Sequence, residues 1–257
     1  MRSVSLIVPI ILLAGCAMPA TDTKLRDEFA PSGVLRVGVN FGNPVIAQRD
    51  PAGGDPRGVG PELARELGRR LGVPIRYVIY GSAGSMTDGL KQGAWDIAFL
   101  AVDPKRAQEI AFSPPYVEIE GTYLVKSDSP MKAMADVDRP GTRVAVGKGS
   151  AYDLYLTREL KNAELVRAFQ IPEAMIEFNA GRADVVAGVK QALDAQLKPG
   201  LRVMAGNFMV IRQASGVPQG RPNAARYLND FIAEAKASGF VRRTLDATGH
   251  KDVPVAR

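Results

Sequence analysis

One short phrase occurs twice in this chain, and it constrains the fold more than any other feature. Gly93-Ala94-Trp95-Asp96 leads into the apolar run Ile97-Ala98-Phe99-Leu100, and Gly181-Arg182-Ala183-Asp184 leads into Val185-Val186-Ala187. A helical stretch precedes each phrase, and a strand ending near an aromatic precedes each helix. The chain therefore builds one α/β unit twice. Two such lobes facing each other leave a cleft, and small ligands bind in clefts between domains.

The units follow from residue patterns. In the first, residues 34–39 alternate and are rich in valine, as a strand does. Residues 40–60 form a long loop, and Pro61 opens a helix at its first position. Val59, Leu63, Leu67 and Leu71 share one face of it, and Gly72 stops it. A strand at 75–80, a short helix at 86–92, a buried strand at 97–102 and a short helix at 104–110 follow. A strand at 121–126 leaves the lobe. The second unit repeats the order: strand 142–146, loop 147–150, helix through 155–160, strand 165–169, helix 172–180, strand 185–189. A strand at 208–211 and helices at 223–238 and 240–247 close the chain.

Strands alternating with helices argue for parallel α/β sheets. If the C-terminal helix returns to the first lobe, two strands cross between the lobes near 124–127 and 210–213 and make a hinge. The expected organisation is a two-lobed α/β fold with lobe 1 at 33–124 and 213–257 and lobe 2 at 125–212.

Composition excludes several classes. The 257 residues suit one large domain or two small ones. With 46% hydrophobic and 23% charged residues, the chain is globular rather than disordered. Net charge is +6, without a long block of like charges, which argues against nucleic acid as a partner.

The first residues read as an export signal. Arg2 precedes the apolar stretch 6–13, which is shorter than the roughly 20 residues a bilayer span needs. The stretch ends in Leu13-Ala14-Gly15-Cys16, which resembles the lipobox of bacterial lipoproteins. That resemblance implies a signal peptide at 1–15, lipid on Cys16, a tether at 16–32 and a periplasmic protein anchored to a membrane. Cys16 is the one cysteine, so no intrachain disulfide forms.

Several further phrases occur in order. They are Gly33-Val34-Leu35-Arg36-Val37-Gly38-Val39, Gly60-Pro61-Glu62-Leu63-Ala64-Arg65-Glu66-Leu67 and Leu71-Gly72-Val73. Pro104-Lys105-Arg106-Ala107, Phe112-Ser113-Pro114-Pro115-Tyr116 and Val146-Gly147-Lys148-Gly149-Ser150 join the two Gly-x-x-Asp phrases. Each is weak alone. Their order and spacing over residues 33–250 resemble the periplasmic amino-acid-binding proteins of ABC importers, the extracellular solute-binding family 3. The resemblance implies a fold that closes on a small solute, a membrane permease as partner, a monomer, and no cofactor or metal.

It also implies site residues. Arg106 follows a strand at the lip of a sheet, where α/β ligand sites lie. The arginine of the matching family phrase grips the ligand's carboxylate, which a guanidinium fork fits with two hydrogen bonds. The bland reading is a solvated helix arginine. Gly149-Ser150-Ala151 would hold the same carboxylate on free helix amides, although Ser150 also suits a plain cap. Asp103 either receives a ligand ammonium or caps the helix at Pro104. Phe41 is a ligand platform or a structural apolar contact, and Tyr152, Asn40 and Ser82 are further candidate contacts. The family's ammonium-binding aspartate has no counterpart, since Val189 stands in its place beside Lys190. Asp96 and Asp184 read as structural, and Glu118 with Glu120 as a solvated face.

Two rivals to transport remain. Some relatives of this fold dehydrate cyclohexadienyl acids such as prephenate or arogenate, but no nucleophile, metal-ligand spacing or placed histidine is evident here. The sole histidine, His250, is expected in a mobile tail. A sensor presenting its ligand to a membrane receptor would have the same sequence.

Overall fold

A computed structural model describes the protein over residues 23–257. The signal peptide, Cys16 and the first part of the expected tether lie outside the described residues.

The described residues begin with helix α1 (Thr23–Phe29). The first unit is β1 (Leu35–Asn40), α2 (Val59–Leu71), β2 (Ile75–Tyr80), α3 (Ala83–Lys91) and β3 (Ile97–Ala101). Helix α4 (Pro104–Ala107) and strand β4 (Ile110–Phe112) lead into the long strand β5 (Val117–Lys126). The second unit is β6 (Arg143–Gly147), α5 (Ala151–Glu159), β7 (Glu164–Ala168), α6 (Ile171–Asn179) and β8 (Val185–Val189). Then come α7 (Lys190–Asp194), β9 (Leu201–Val203), the long strand β10 (Met209–Pro218), α8 (Pro222–Ala237) and α9 (Phe240–Ala247).

The strands run in the order β2-β1-β3-β10-β5-β8-β6-β7. Each unit contributes the same parallel trio, with its first strand in the middle, and the two trios are joined through the antiparallel pair β10 and β5. On β5 the partner changes from β10 to β8 at Gly121, ahead of the 124–127 segment the sequence suggested. On β10 it changes from β5 to β3 at Gln213. Both apolar strands that follow Gly-x-x-Asp, β3 and β8, are buried along their whole length.

The repeated aspartates explain the repeated phrase. Asp96 accepts hydrogen bonds from the Arg36 amide (3.1 Å) and from its Nε and Nη2 (both 2.8 Å). Asp184 accepts from the Arg143 amide (2.9 Å), Nε (3.1 Å) and Nη2 (2.8 Å). Each carboxylate thus ties the start of its unit's third strand to the start of the first. Asp96 is fully buried and also takes Arg221 at 3.2 Å, whereas Asp184 is part-exposed.

The strand expected at 208–211 continues to Pro218 as β10, and four further expectations change. Residues 23–29, assigned to the tether, are helix α1, because Phe29 is a buried core side chain set edge-on to Tyr227, 6.0 Å away. The α2 helix starts at Val59 rather than Pro61, since Gly58 at φ 120 turns the chain there, where a Cβ would lie 2.5 Å from the Ile46 carbonyl. The helix expected at 104–110 ends at Ala107, and Ile110–Phe112 instead pairs with β10. The C-terminal tail is packed: Val253 is buried, Val255 bridges to Val117, and His250 Nε2 lies 3.0 Å from the Pro44 carbonyl.

Candidate functional site

The carboxyl ends of β1, β3, β6 and β8 point toward one crevice, where open α/β sheets hold their ligands. Its wall takes Asn40, Ser82, Ala83, Phe99 and Arg106 from the first unit, and Lys148, Ser150, Ala151, Tyr152, Phe169 and Val189 from the second. Ile211 and Gln213 of the crossing strand β10 form its floor. The lobes are closed on it, leaving a free volume of about 50 Å³.

Arg106 sits between the lobes and is only 2% exposed. Asp103 caps α4 through the Lys105 amide (2.8 Å), which sets the short turn that carries the guanidinium inward. Arg106 Nη1 donates to the Ala101 carbonyl (2.9 Å), and Nη2 crosses the crevice to the Gly149 carbonyl (2.8 Å). Its Nε is buried with no acceptor, and no carboxylate pairs with the guanidinium among the described residues. Burial pushes its pKa down to about 10, with nearby Asp103 opposing the shift, so the group stays charged at neutral pH.

Opposite it stands the start of α5. Ser150 caps that helix, accepting the Asp153 amide at 3.0 Å. Asp153 in turn accepts the Gly149 amide (2.7 Å) and Arg167 Nε (2.9 Å). The amides of Ala151 and Tyr152 keep no protein acceptor among the described residues. Burial pushes the Tyr152 hydroxyl up to about 12, so it is a neutral hydrogen-bonding group.

Three other contacts cross the crevice. Gly84 of α3 and Gly149 touch through their backbones, since a Cβ on Gly149 would lie 2.7 Å from the Gly84 Cα. Phe169 covers Gly81, where a Cβ would lie 2.9 Å from the ring. Arg158 Nη1 reaches Asp103 at 3.0 Å.

The structure thus brings together Arg106, Ser150, Ala151, Tyr152, Asn40 and Ser82 of the residues the sequence singled out. Three stand apart from the wall. Phe41 lies under the Arg49 guanidinium, 4.6 Å from ring centroid to Cζ, and packs on the core. Asp103 has one carboxylate oxygen on a helix amide and the other 3.0 Å from Arg158, and lies behind the wall rather than in it. Gly149 gives its carbonyl to Arg106, its amide to Asp153 and its Cα face to Gly84. Among the described residues no group of three His, Cys, Asp or Glu side chains comes together as a metal site.

The sequence profile of the bacterial extracellular solute-binding proteins, family 3, matches residues 35–247. The chain belongs to that family.

Named relatives of this solute-binding protein include the L-cystine-binding protein TcyJ of Escherichia coli strain K12. The two are 25% identical over 264 residues, 95% of this chain and 92% of that protein. The ABC transporter arginine-binding protein 1 of Escherichia coli strain K12 is 24% identical over 194 residues, 72% of this chain and 78% of that one. Among solved structures, the fold matches the solute receptor for L-cysteine of Neisseria gonorrhoeae with a TM-score of 0.77, at 23% identity, over 92% of this chain and 100% of that one. An ancestral amino-acid-binding protein, described as a precursor of cyclohexadienyl dehydratase, matches with a TM-score of 0.73 at 25% identity, over 88% of this chain and 99% of that one.

For this family 3 protein, sequence reasoning missed Phe169, Gln170, Gln213 and Ile211. The repeat contained a signal for the first two. Ser82 follows β2 as Phe169 and Gln170 follow β7, so the loop after each unit's second strand reaches the crevice. Gln213 had no such signal, because its place depends on where β10 changes partner.

Proposed function

We propose that this protein captures a small carboxylated solute, an amino acid or an amino-acid-like acid, and delivers it to the permease of an ABC importer. Closure of two lobes, 33–124 with 213–257 against 125–212, traps the solute without chemistry. One observation carries the reading: a guanidinium buried between the lobes with a free Nε and no carboxylate partner among the described residues. A buried cation is costly until an anion meets it, and this fork fits a carboxylate. The unbonded Ala151 and Tyr152 amides at the start of α5 favour the same anion from the other side.

Arg106, Ser150, Ala151 and Tyr152 then hold the carboxylate, with Asn40 and Ser82 as polar neighbours. The relatives named for cystine, arginine and cysteine agree with a solute of this kind. Binding without turnover is favoured because the acids nearest the crevice, Asp103 and Asp153, are held by Arg158 and Arg167. Incubation with prephenate tests this, and its consumption would restore the enzyme reading. Lipid on Cys16 would keep the protein at a membrane as a monomer, and Cys16→Ser should release it from the membrane fraction.

The deciding experiment is Arg106→Ala. A thermal-shift screen over amino acids, dicarboxylates, opines and betaines finds a ligand for the unaltered protein. Calorimetry should then show the variant weaker by about 2–5 kcal/mol, more than tenfold in Kd. An equal Kd removes Arg106 from the site.

A further inference from the structure

Among the described residues, the wall of the crevice carries no carboxylate. Among its described residues the charged side chains are Arg106, which is buried, and Lys148, which is exposed at the rim. The acids closest by lie outside the wall and are already paired: Asp103 with the Lys105 amide and Arg158, Asp153 with the Gly149 amide and Arg167. The remaining wall mixes apolar side chains, among them Ile46, Phe99, Val189 and Ile211, with neutral polar ones such as Asn40, Asn43, Ser82 and Gln170, none of which carries a charge. A zwitterion closed into this space would satisfy its carboxylate on Arg106 and leave its ammonium with neutral acceptors at most and no counter-charge. A buried ion in that position is strongly disfavoured.

Gln213 supplies the second observation. It is 3% exposed, lies on the crevice floor, and its side-chain amide has no protein hydrogen bond among the described residues. Its amide atoms are not sealed in the protein interior but open onto the crevice, where a ligand can meet them. A neutral amide suits a neutral oxygen: its NH2 donates to a carbonyl or hydroxyl, and its oxygen accepts from a hydroxyl. The free volume of about 50 Å³, against about 10–15 Å³ for a single water, suits a compact molecule.

We propose that the ligand is a small monocarboxylate bearing a neutral oxygen function, a 2-hydroxy or 2-oxo acid, in preference to the matching α-amino acid. This rests on the carboxylate-capture reading above. Arg106 takes the carboxylate, and Gln213 takes the hydroxyl or keto oxygen.

The test is calorimetry on the intact protein with matched acids. The pairs are lactate and pyruvate against alanine, 2-hydroxyisocaproate against leucine, and phenyllactate against phenylalanine, with cystine, arginine and glutamine added. The hydroxy or oxo member should bind at least tenfold tighter than its amino partner and tighter than the added amino acids. If any amino acid binds tightest, this proposal is overturned while carboxylate capture stands. If no compound binds, both are overturned. A second variant checks the charge argument: Gln213→Glu is nearly isosteric and places a carboxylate on the floor. It should shift the preference toward the amino member of each pair by at least tenfold, and an unchanged ratio would overturn the proposal. Should that variant not fold, the panel on the unaltered protein decides alone.

Discussion

Gly84 and Gly149 meet backbone to backbone across the crevice. A Cβ on Gly84 would lie 2.5 Å from the Lys148 carbonyl, and one on Gly149 2.7 Å from the Gly84 Cα. Two residues without side chains let helix α3 of one lobe and the loop before α5 of the other close on each other. That approach also puts the Gly149 carbonyl within reach of Arg106.

Gly84→Ala should therefore separate folding from closure. Gly84 lies within α3, at a backbone conformation alanine accepts, and alanine is the better helix former by about 0.5–1 kcal/mol. The melting temperature of the unliganded protein should hold or rise slightly. Ligand affinity should fall at least tenfold, because the added methyl meets backbone that has no room to yield. Calorimetry beside thermal unfolding checks both; unchanged affinity would mean the lobes close differently.

The two aspartate ties should differ in strength. Asp96→Asn leaves Arg36 and Arg221 facing a neutral group at a fully buried site, and a loss of about 3 kcal/mol is expected. Asp184→Asn acts where the aspartate side chain is 37% exposed, and a loss of about 1 kcal/mol or less is expected. Urea unfolding of both variants compares them, and equal losses would contradict the asymmetry in burial.

Acid should weaken the fold through Glu66. Its carboxyl is held down from 4.5 to about 2, first by the hydrogen bond from Arg69 and also by Arg70. The folded value is the depressed one, so this contribution is complete above the unfolded value and is lost as pH falls from about 4.5 toward 2. Glu66→Gln should flatten the fall in melting temperature over that window. An identical pH profile would show that other carboxylates dominate.

Reaching across the crevice, Arg158 should matter modestly and in a salt-dependent way. It is 43% exposed while Asp103 is buried. Arg158→Ala should weaken ligand binding by roughly fivefold or less, as a half-exposed ion pair does. The difference from the unaltered protein should shrink as salt is raised. A salt-independent effect would point to lost packing of the arginine stem instead.

Much of the architecture was legible because it is periodic and repeated. Apolar spacing marked α2, valine-rich runs marked β1 and β6, and Gly-x-x-Asp marked the entry to β3 and β8. Part of the crevice was legible because loops at the carboxyl ends of strands must reach it, as those of Asn40, Ser82, Arg106 and Ser150 do. The α1 helix was not, since its polar exposed face reads like a linker and what holds it is distant in sequence: Phe29 against Tyr227, and Glu28 accepting from the Asn223 side chain and the Ala224 amide at the start of α8.

The chain's local chemistry settled the doubled α/β unit and a turn that offers an arginine, because helix and strand periods and short phrases act over a few residues. Folding settled the rest: that Phe41 faces the core, that both oxygens of Asp103 are occupied, and that Gln213 lies unpaired on the floor. Those outcomes depend on which distant groups arrive within hydrogen-bond reach, such as Arg158 on Asp103 or Gly149 on Arg106. Such meetings are set by strand order and lobe closure, and no stretch of neighbouring residues encodes them.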